Sequence, residues 1–102
     1  MTVILKIHEA YRKIVSVCDK DLLGKKLIEG NRQIDVDKIF YSGEEMDDKK
    51  ALQIMKAEYY DDSTFSIVGK DSIALGIKVG IVSDKKEAVF KVQGVPYALG
   101  LI

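Results

Sequence analysis

Val17-Cys18-Asp19-Lys20-Asp21-Leu22-Leu23-Gly24-Lys25-Lys26-Leu27-Ile28-Glu29-Gly30 is the stretch on which the fold turns. It carries the chain's single cysteine, a lysine pair and two glycines that punctuate structure. Asp19 stops the strand before it. Its carboxylate is placed to accept from the N–H of Asp21 or Leu22 and so to cap a single helical turn. Gly24 ends that turn in a left-handed conformation. Leu22 and Leu23 pin it to the core. Lys26-Leu27-Ile28 re-enters a strand before the turn signal Gly30-Asn31, and Gln33-Ile34-Asp35-Val36 reads as a further short strand.

Upstream, Thr2 to His8 reads as a strand, with Val3, Leu5 and Ile7 on one face and Ile4, Lys6 and His8 on the other. Arg12 to Cys18 is its partner, joined through Glu9-Ala10-Tyr11 as a hairpin. Downstream, Phe40-Tyr41-Ser42-Gly43 reads as a bend. Asp47 is the expected N-cap of a main helix from Asp48 to about Glu58, with Ala51, Leu52, Met55 and Tyr59 as its apolar stripe. Ser42 with Glu45 offers a capping box one turn earlier. Thr64 to Val68 reads as a strand. Asp71 to Val79 is a second helix that buries Ile73, Ala74 and Ile77 and stops at Gly80, with Ile81 beyond it as the contact residue. Gly76 inside this helix implies close packing, because glycine costs about 1 kcal/mol there relative to alanine. Asp84-Lys85-Lys86 reads as a turn. Ala88–Val92 and Tyr97–Ile102 form a closing hairpin around Gln93-Gly94-Val95-Pro96.

Residues 1–102 therefore read as one α+β domain, a mostly antiparallel sheet with two helices packed on it. A chain of this length buries roughly 60–65% of its unfolded surface, enough for one core without staples. The 47% apolar fraction agrees with a globular protein. No apolar run reaches the ~18 residues that span a membrane, and Met1 to Ile7 is too short for a signal-peptide apolar region. A cytoplasmic location is expected.

Sixteen basic side chains balance sixteen acidic ones. The balance is local: residues 1–34 carry +3, residues 35–62 carry −5 and residues 63–102 carry +2. A neutral chain argues against strong non-specific binding of nucleic acid, yet leaves room for a basic face.

Four segments resemble one family in order and spacing. They are Cys18-Asp19-Lys20-Asp21-Leu22-Leu23-Gly24-Lys25, Glu29-Gly30, Phe40-Tyr41-Ser42-Gly43 and Gly94-Val95-Pro96-Tyr97-Ala98. The chain looks like domain of unknown function 424, a set of small archaeal proteins. The resemblance implies an archaeal cytoplasmic protein of this fold and supplies no activity. Tyr97 stands where the family usually has histidine and Ser42 where it usually has glycine, so histidine chemistry after Gly-Val-Pro is not available here.

No motif amounts to a reaction. A nucleophilic cysteine needs a base within hydrogen-bond reach. A turn at residues 9–11 places His8, the only histidine, about 20 Å from Cys18 along the hairpin. Cys18 is therefore read as a buried structural hydrophobe. One Cys and one His also give no zinc spacing, and the acids Glu44, Glu45, Asp47 and Asp48 read as a solvated helix start. No metal, cofactor or catalytic residue is expected.

Gly24-Lys25-Lys26 lacks the P-loop pattern but offers two lysines on a fixed loop. The expected function is a non-catalytic binding module serving RNA or a translation component. Lys25 and Lys26 would meet phosphate, and Tyr41 and Tyr97 would stack on bases. Asp19, Gly24, Gly80, Gly94 and Pro96, with Cys18, are the expected structural positions. Two alternatives stand beside it: a protein adaptor using the apolar C-terminal strand as an open edge, and an enzyme whose acid–base group no spacing singles out.

Overall fold

The structure, a computed structural model, describes residues 2–83 and 89–100. The turn expected at Asp84-Lys85-Lys86, Ala88 and the last two residues of the closing hairpin lie outside them.

Alternating apolar residues build the first hairpin, β1 (Thr2–His8) and β2 (Ile14–Asp19). Its register is Val3↔Asp19 to His8↔Ile14, two residues away from the one expected, because the connection runs from Glu9 to Lys13. A shift of two keeps every side chain on its face. Next come a 3₁₀ turn (Lys20–Leu22), the hairpin β3 (Lys26–Glu29) and β4 (Arg32–Asp35), and the helical turn α1 (Lys38–Tyr41). Then follow β5 (Glu44–Asp47), α2 (Asp48–Tyr60), β6 (Thr64–Val68), α3 (Lys70–Val79), β7 (Phe90–Val92) and β8 (Val95–Gly100).

Six strands form one sheet in the order β5-β1-β2-β6-β8-β7, and β3-β4 form a separate pair. Only the β2–β6 pairing of the large sheet is parallel. The C-terminal strand β8 lies between β6 and β7, so it is not the open edge expected of it.

One sheet face presents Val3, Leu5, Val15, Val17, Phe65 and Ile67 to Ala51 and Met55 of α2 and to Ile73 and Leu75 of α3. These are the two helices expected on the sheet. Phe65, Met55 and Ile67 are almost fully buried, each stabilising by about 1.5–3 kcal/mol through the apolar area removed from water. The other face is also covered, which the sequence reading did not anticipate. Ile4, Cys18, Val68 and Val92 pack there under Leu22, Ile34, Val36 and Tyr41 of the segment between β2 and β5. Burial on both faces explains why Val3-Ile4-Leu5 and Val17-Cys18 are apolar in succession.

Asp19 does not cap its own turn. It is the N-cap residue of the 3₁₀ turn but makes no side-chain bond there. Its buried carboxylate instead crosses to the start of α3. Oδ2 accepts from the Asp71 N–H at 3.1 Å, and Oδ1 from the Ser72 N–H at 2.8 Å and the Ser72 hydroxyl at 2.7 Å. The N-cap of α3 is Gly69, which has no side chain to donate to this task. Asp19 satisfies the orphan N–H groups that an N-cap side chain would otherwise take. The parallel β2–β6 pairing makes this possible, because Cys18↔Val68 sets Asp19 beside Gly69.

This bond corrects a second expectation. Ser72, Ile73, Leu75 and Gly76 are buried, while Ala74 and Ile77 face solvent. Drawing Ser72 inward rotates the buried stripe to 72, 75, 76 and 79, still a helical spacing. Gly76 is needed because a Cβ there would lie 2.9 Å from Val82 and 3.0 Å from Ile67. The helix ends as expected: Gly80 is left-handed at φ +98°, and the N–H groups of Gly80 and Ile81 return to the carbonyls of Ile77 and Gly76.

Three further positions differ. Asp37 accepts from the Ile39 N–H at 2.9 Å and makes Lys38–Tyr41 helical, where a bend was expected. Glu44–Asp47, expected as a helix approach, pairs with β1 as an edge strand that buries only Met46. The Ser42–Glu45 capping box does not form, and Asp47 caps α2 by accepting from the Lys50 N–H at 2.9 Å. The last hairpin turns at Gln93 (φ +52°) and Gly94 (φ +77°), a type I′ turn that matches strand twist. Val95 and Pro96 already belong to β8.

Gly69 and Gly80 both have positive φ, +110° and +98°, but differ in the space around them. A Cβ on Gly80 meets nothing within 4 Å, whereas one on Gly69 lies 2.3 Å from the Asp19 carboxyl carbon. Gly80→Ala should therefore cost about 1 kcal/mol, the backbone term alone. Gly69→Ala should cost at least ~2 kcal/mol more, because it displaces a buried hydrogen-bonded carboxylate. Urea unfolding of both variants measures this, and equal losses would contradict the packing described.

Candidate functional site

The second sheet face carries one row unlike its neighbours. Strand alternation places Lys6, Ser16, Ser66 and Leu99 side by side, through the pairs Lys6↔Ser16, Ser16↔Ser66 and Ser66↔Leu99. The adjoining row, Ile4, Cys18, Val68 and Tyr97, is apolar apart from one phenol.

α1 is clamped to the polar row. The Ser16 hydroxyl donates to the Phe40 carbonyl at 3.1 Å, and His8 Nε2 lies 3.2 Å from Ser16 Oγ. The His8 and Phe40 rings stack at 4.4 Å, and Phe40 meets Tyr41 edge-on at 4.9 Å. The Tyr41 hydroxyl is 2.7 Å from Ser66 Oγ. A carbonyl can only accept, so the Ser16 proton is committed to Phe40 and His8 Nε2 must be the donor to Ser16. A nucleophilic serine would need the opposite polarity. The pair therefore holds α1 on the sheet and does not activate the hydroxyl.

Tyr41 was expected as a stacking platform. The structure buries it instead, turns its ring into the core and pairs its hydroxyl. Burial pushes the phenol pKa up. Tyr97, expected to open the second strand of the closing hairpin, lies within β8 on the same face. Its ring centroid is 5.6 Å from that of Phe90 at a 34° tilt. Phe90 is 52% exposed and Leu99, two residues along β8 from Tyr97, is 67% exposed. The segment from Leu22 to Tyr41 thus covers part of this face and leaves a strip at its border, with Phe90 and Leu99 exposed and Tyr97 half-buried. Phe90 was not singled out from sequence; its strand is only three residues long, too short for alternation to register.

Lys25 and Lys26 are exposed, on a loop fixed by Gly24 N–H to the Val36 carbonyl at 2.7 Å and Val36 N–H to the Lys25 carbonyl at 2.9 Å. Lys26 pairs with Asp35, while the next pair, Leu27 and Ile34, turns inward onto the cluster that contains Tyr97. The structure therefore separates Lys26 from Tyr97 by the thickness of the β3–β4 hairpin. The acids near α2 have local partners: Glu44 with Lys50, Glu45 with Lys20, and Asp47 with its helix. Among the described residues no three His, Cys, Asp or Glu side chains are grouped to hold a metal, and no helix is long and apolar enough to cross a membrane.

The tips of the two hairpins touch. Gln93 donates its N–H to Glu29 Oε1 and its side-chain amide to the Ile28 carbonyl, both at 2.7 Å. Arg32 Nη1 reaches the Lys91 carbonyl at 3.5 Å. Between the tips lies a cleft of about 470 Å³ lined by Glu29, Gly30, Asn31, Arg32, Lys91 and Gly94.

Cys18 is buried opposite Ile4, four strand residues and about 13 Å from His8. Burial, then Asp19 and Asp21, push its thiol up to about 12. At neutral pH it should react slowly with a thiol reagent in the native state and fast in denaturant. The folded state holds the proton more tightly, so the thiol's contribution is complete below the ordinary value of 9.0 and is lost as pH rises toward about 12. Tyr41 shares this sign, so the difference between wild type and Cys18→Ala isolates the thiol. Cys18→Ala should cost about 1–2 kcal/mol at pH 7 and show a flatter alkaline loss of stability. Fast native labelling at neutral pH would contradict the assignment.

Comparison with known proteins agrees with the fold and adds no activity. The chain is similar to an uncharacterized conserved protein from Methanopyrus kandleri whose crystal structure is known, with 26% identity and a TM-score of 0.79 over 99% of this chain and 93% of that one. No functionally curated protein matches it. The pattern of the family described as protein of unknown function, DUF424, matches residues 7–101, and the chain belongs to that family.

Proposed function

We propose that the protein is a non-catalytic cytoplasmic module that binds single-stranded RNA on the open part of its second sheet face. The observation that carries the reading is the Phe90–Tyr97 ring pair, set on a sheet surface and partly exposed. Paired strands hold both rings at a fixed height. Base–aromatic stacking is worth about 1–3 kcal/mol per base and tolerates any sequence. Ser66, partly exposed beside the strip, can exchange a hydrogen bond with a base edge or a ribose 2′-OH. The absence of an activated nucleophile at Ser16 and the raised thiol of Cys18 favour binding over chemistry.

Lys25 and Lys26 lie away from this strip, and their expected phosphate role weakens accordingly. They serve as the internal control. A second reading, a protein partner, draws on Ile39 and Leu99, which are 82% and 67% exposed and give nothing to a phosphate backbone.

The test is a titration of random single-stranded RNA decamers at low and moderate salt. Wild type should bind, more weakly as salt rises. Phe90→Ala should lose about 1–3 kcal/mol of affinity while keeping its melting midpoint, because the ring is half exposed. Lys26→Ala should stay near wild type. Absence of binding at low salt, or unchanged binding by Phe90→Ala, would sink the RNA reading and leave the protein partner.

A further inference from the structure

The cleft between the hairpin tips belongs to no part of the stacking strip and has its own chemistry. Its walls carry the Arg32 and Glu29 side chains, and Lys91 meets Arg32 there through its backbone carbonyl. One Glu29 oxygen already accepts the Gln93 N–H. Arg32 extends its guanidinium as far as the Lys91 carbonyl, so its fork of donors stands in the cleft, engaged among the described residues by one weak bond at 3.5 Å. Glycine lies on both turns. A Cβ placed on Gly30 or Gly94 meets no atom within 4 Å, so both turns are open on that side to a ligand. Asn31 adds an amide. The two Gln93 bonds lock the tips together and hold these donors in one arrangement.

We propose that this cleft binds a phosphate monoester. Donors come from several directions: a planar guanidinium that matches phosphate oxygens bidentately, the Asn31 amide, and turn backbone. A monoester presents three terminal oxygens, which suits a surround of several donors built around one guanidinium. Phe90, adjacent in β7 to Lys91, begins the stacking strip. On the RNA reading given above, on which this extension rests, the ligand is a strand carrying a terminal phosphate. The phosphate sits between the hairpin tips and the neighbouring base lies on Phe90 and Tyr97.

The experiment uses the full chain, labelled with ¹⁵N, and four probes: inorganic phosphate, and one pentameric RNA with a 5′-phosphate, with a 3′-phosphate, or with hydroxyls at both ends. Inorganic phosphate should shift the amides of Gly30, Asn31 and Gly94 and the side-chain Nε–H of Arg32, with saturation. One phosphorylated pentamer should bind about tenfold or more tightly than the hydroxyl form, and Arg32→Ala should abolish that difference while leaving the hydroxyl pentamer's affinity intact. If phosphate shifts these groups but no pentamer binds, the cleft stands and the RNA reading fails. If all pentamers bind equally and phosphate moves none of these groups, the RNA reading stands and the cleft is not a phosphate site.

Discussion

A single buried carboxylate organises this fold. Asp19 sits where β2 ends, accepts three hydrogen bonds from the first turn of α3, and occupies the space that a side chain on Gly69 would take. Burying a carboxylate is costly unless hydrogen bonds surround it; here they come from helix N–H groups that lack partners of their own. The charge also faces the positive end of the helix dipole. One residue thereby ends a strand, anchors a helix from another part of the chain and releases the following segment toward the opposite sheet face. It also fills the N-terminus of α3, so that terminus offers no seat to a phosphate.

The released segment makes the protein three-layered, and its limited extent creates the candidate site. It covers the apolar row Ile4, Cys18 and Val68 and is pinned at the polar row by Ser16 and Ser66. Hydroxyls are useful at that boundary because they bond to α1 without demanding full burial of a charge. Phe90 and Leu99 are left exposed beside this cover, and Tyr97 is half-buried against it. The clamp and the open strip are consequences of the same arrangement: a cover held at α1 by Ser16 and Ser66 and at its hairpin tip by Gln93, which leaves Phe90 and Leu99 exposed.

Local patterns carried much of this. Alternation marked β1 and β6 residue for residue, Asp47 marked the start of α2, and Gly80 marked the end of α3. Most of the failures share one cause, long-range partners; the helical turn at Lys38–Tyr41, capped locally by Asp37, is an exception. Asp19 was read with its nearest N–H groups because its true ones lie some fifty residues away. The face of α3 was misread at Ala74 and Ile77 because that same bond sets its rotation. β5 was missed because an acidic edge strand resembles a helix approach, and only pairing with β1 distinguishes them. At the site, Tyr97 was legible as an aromatic beside a rigid residue, but its partner Phe90 and the meeting of the two hairpin tips depend on sheet order, which no local pattern encodes.

The claim that Asp19 secures α3 is tested most directly by a double-mutant cycle. Unfolding free energies of wild type, Asp19→Ala, Ser72→Ala and the double variant give the coupling between the carboxylate and the hydroxyl 2.7 Å away. Groups in one buried hydrogen-bond network should couple by about 1 kcal/mol or more. Losses that simply add, to within about 0.3 kcal/mol, would mean that α3 is held by its apolar stripe alone and would contradict the account.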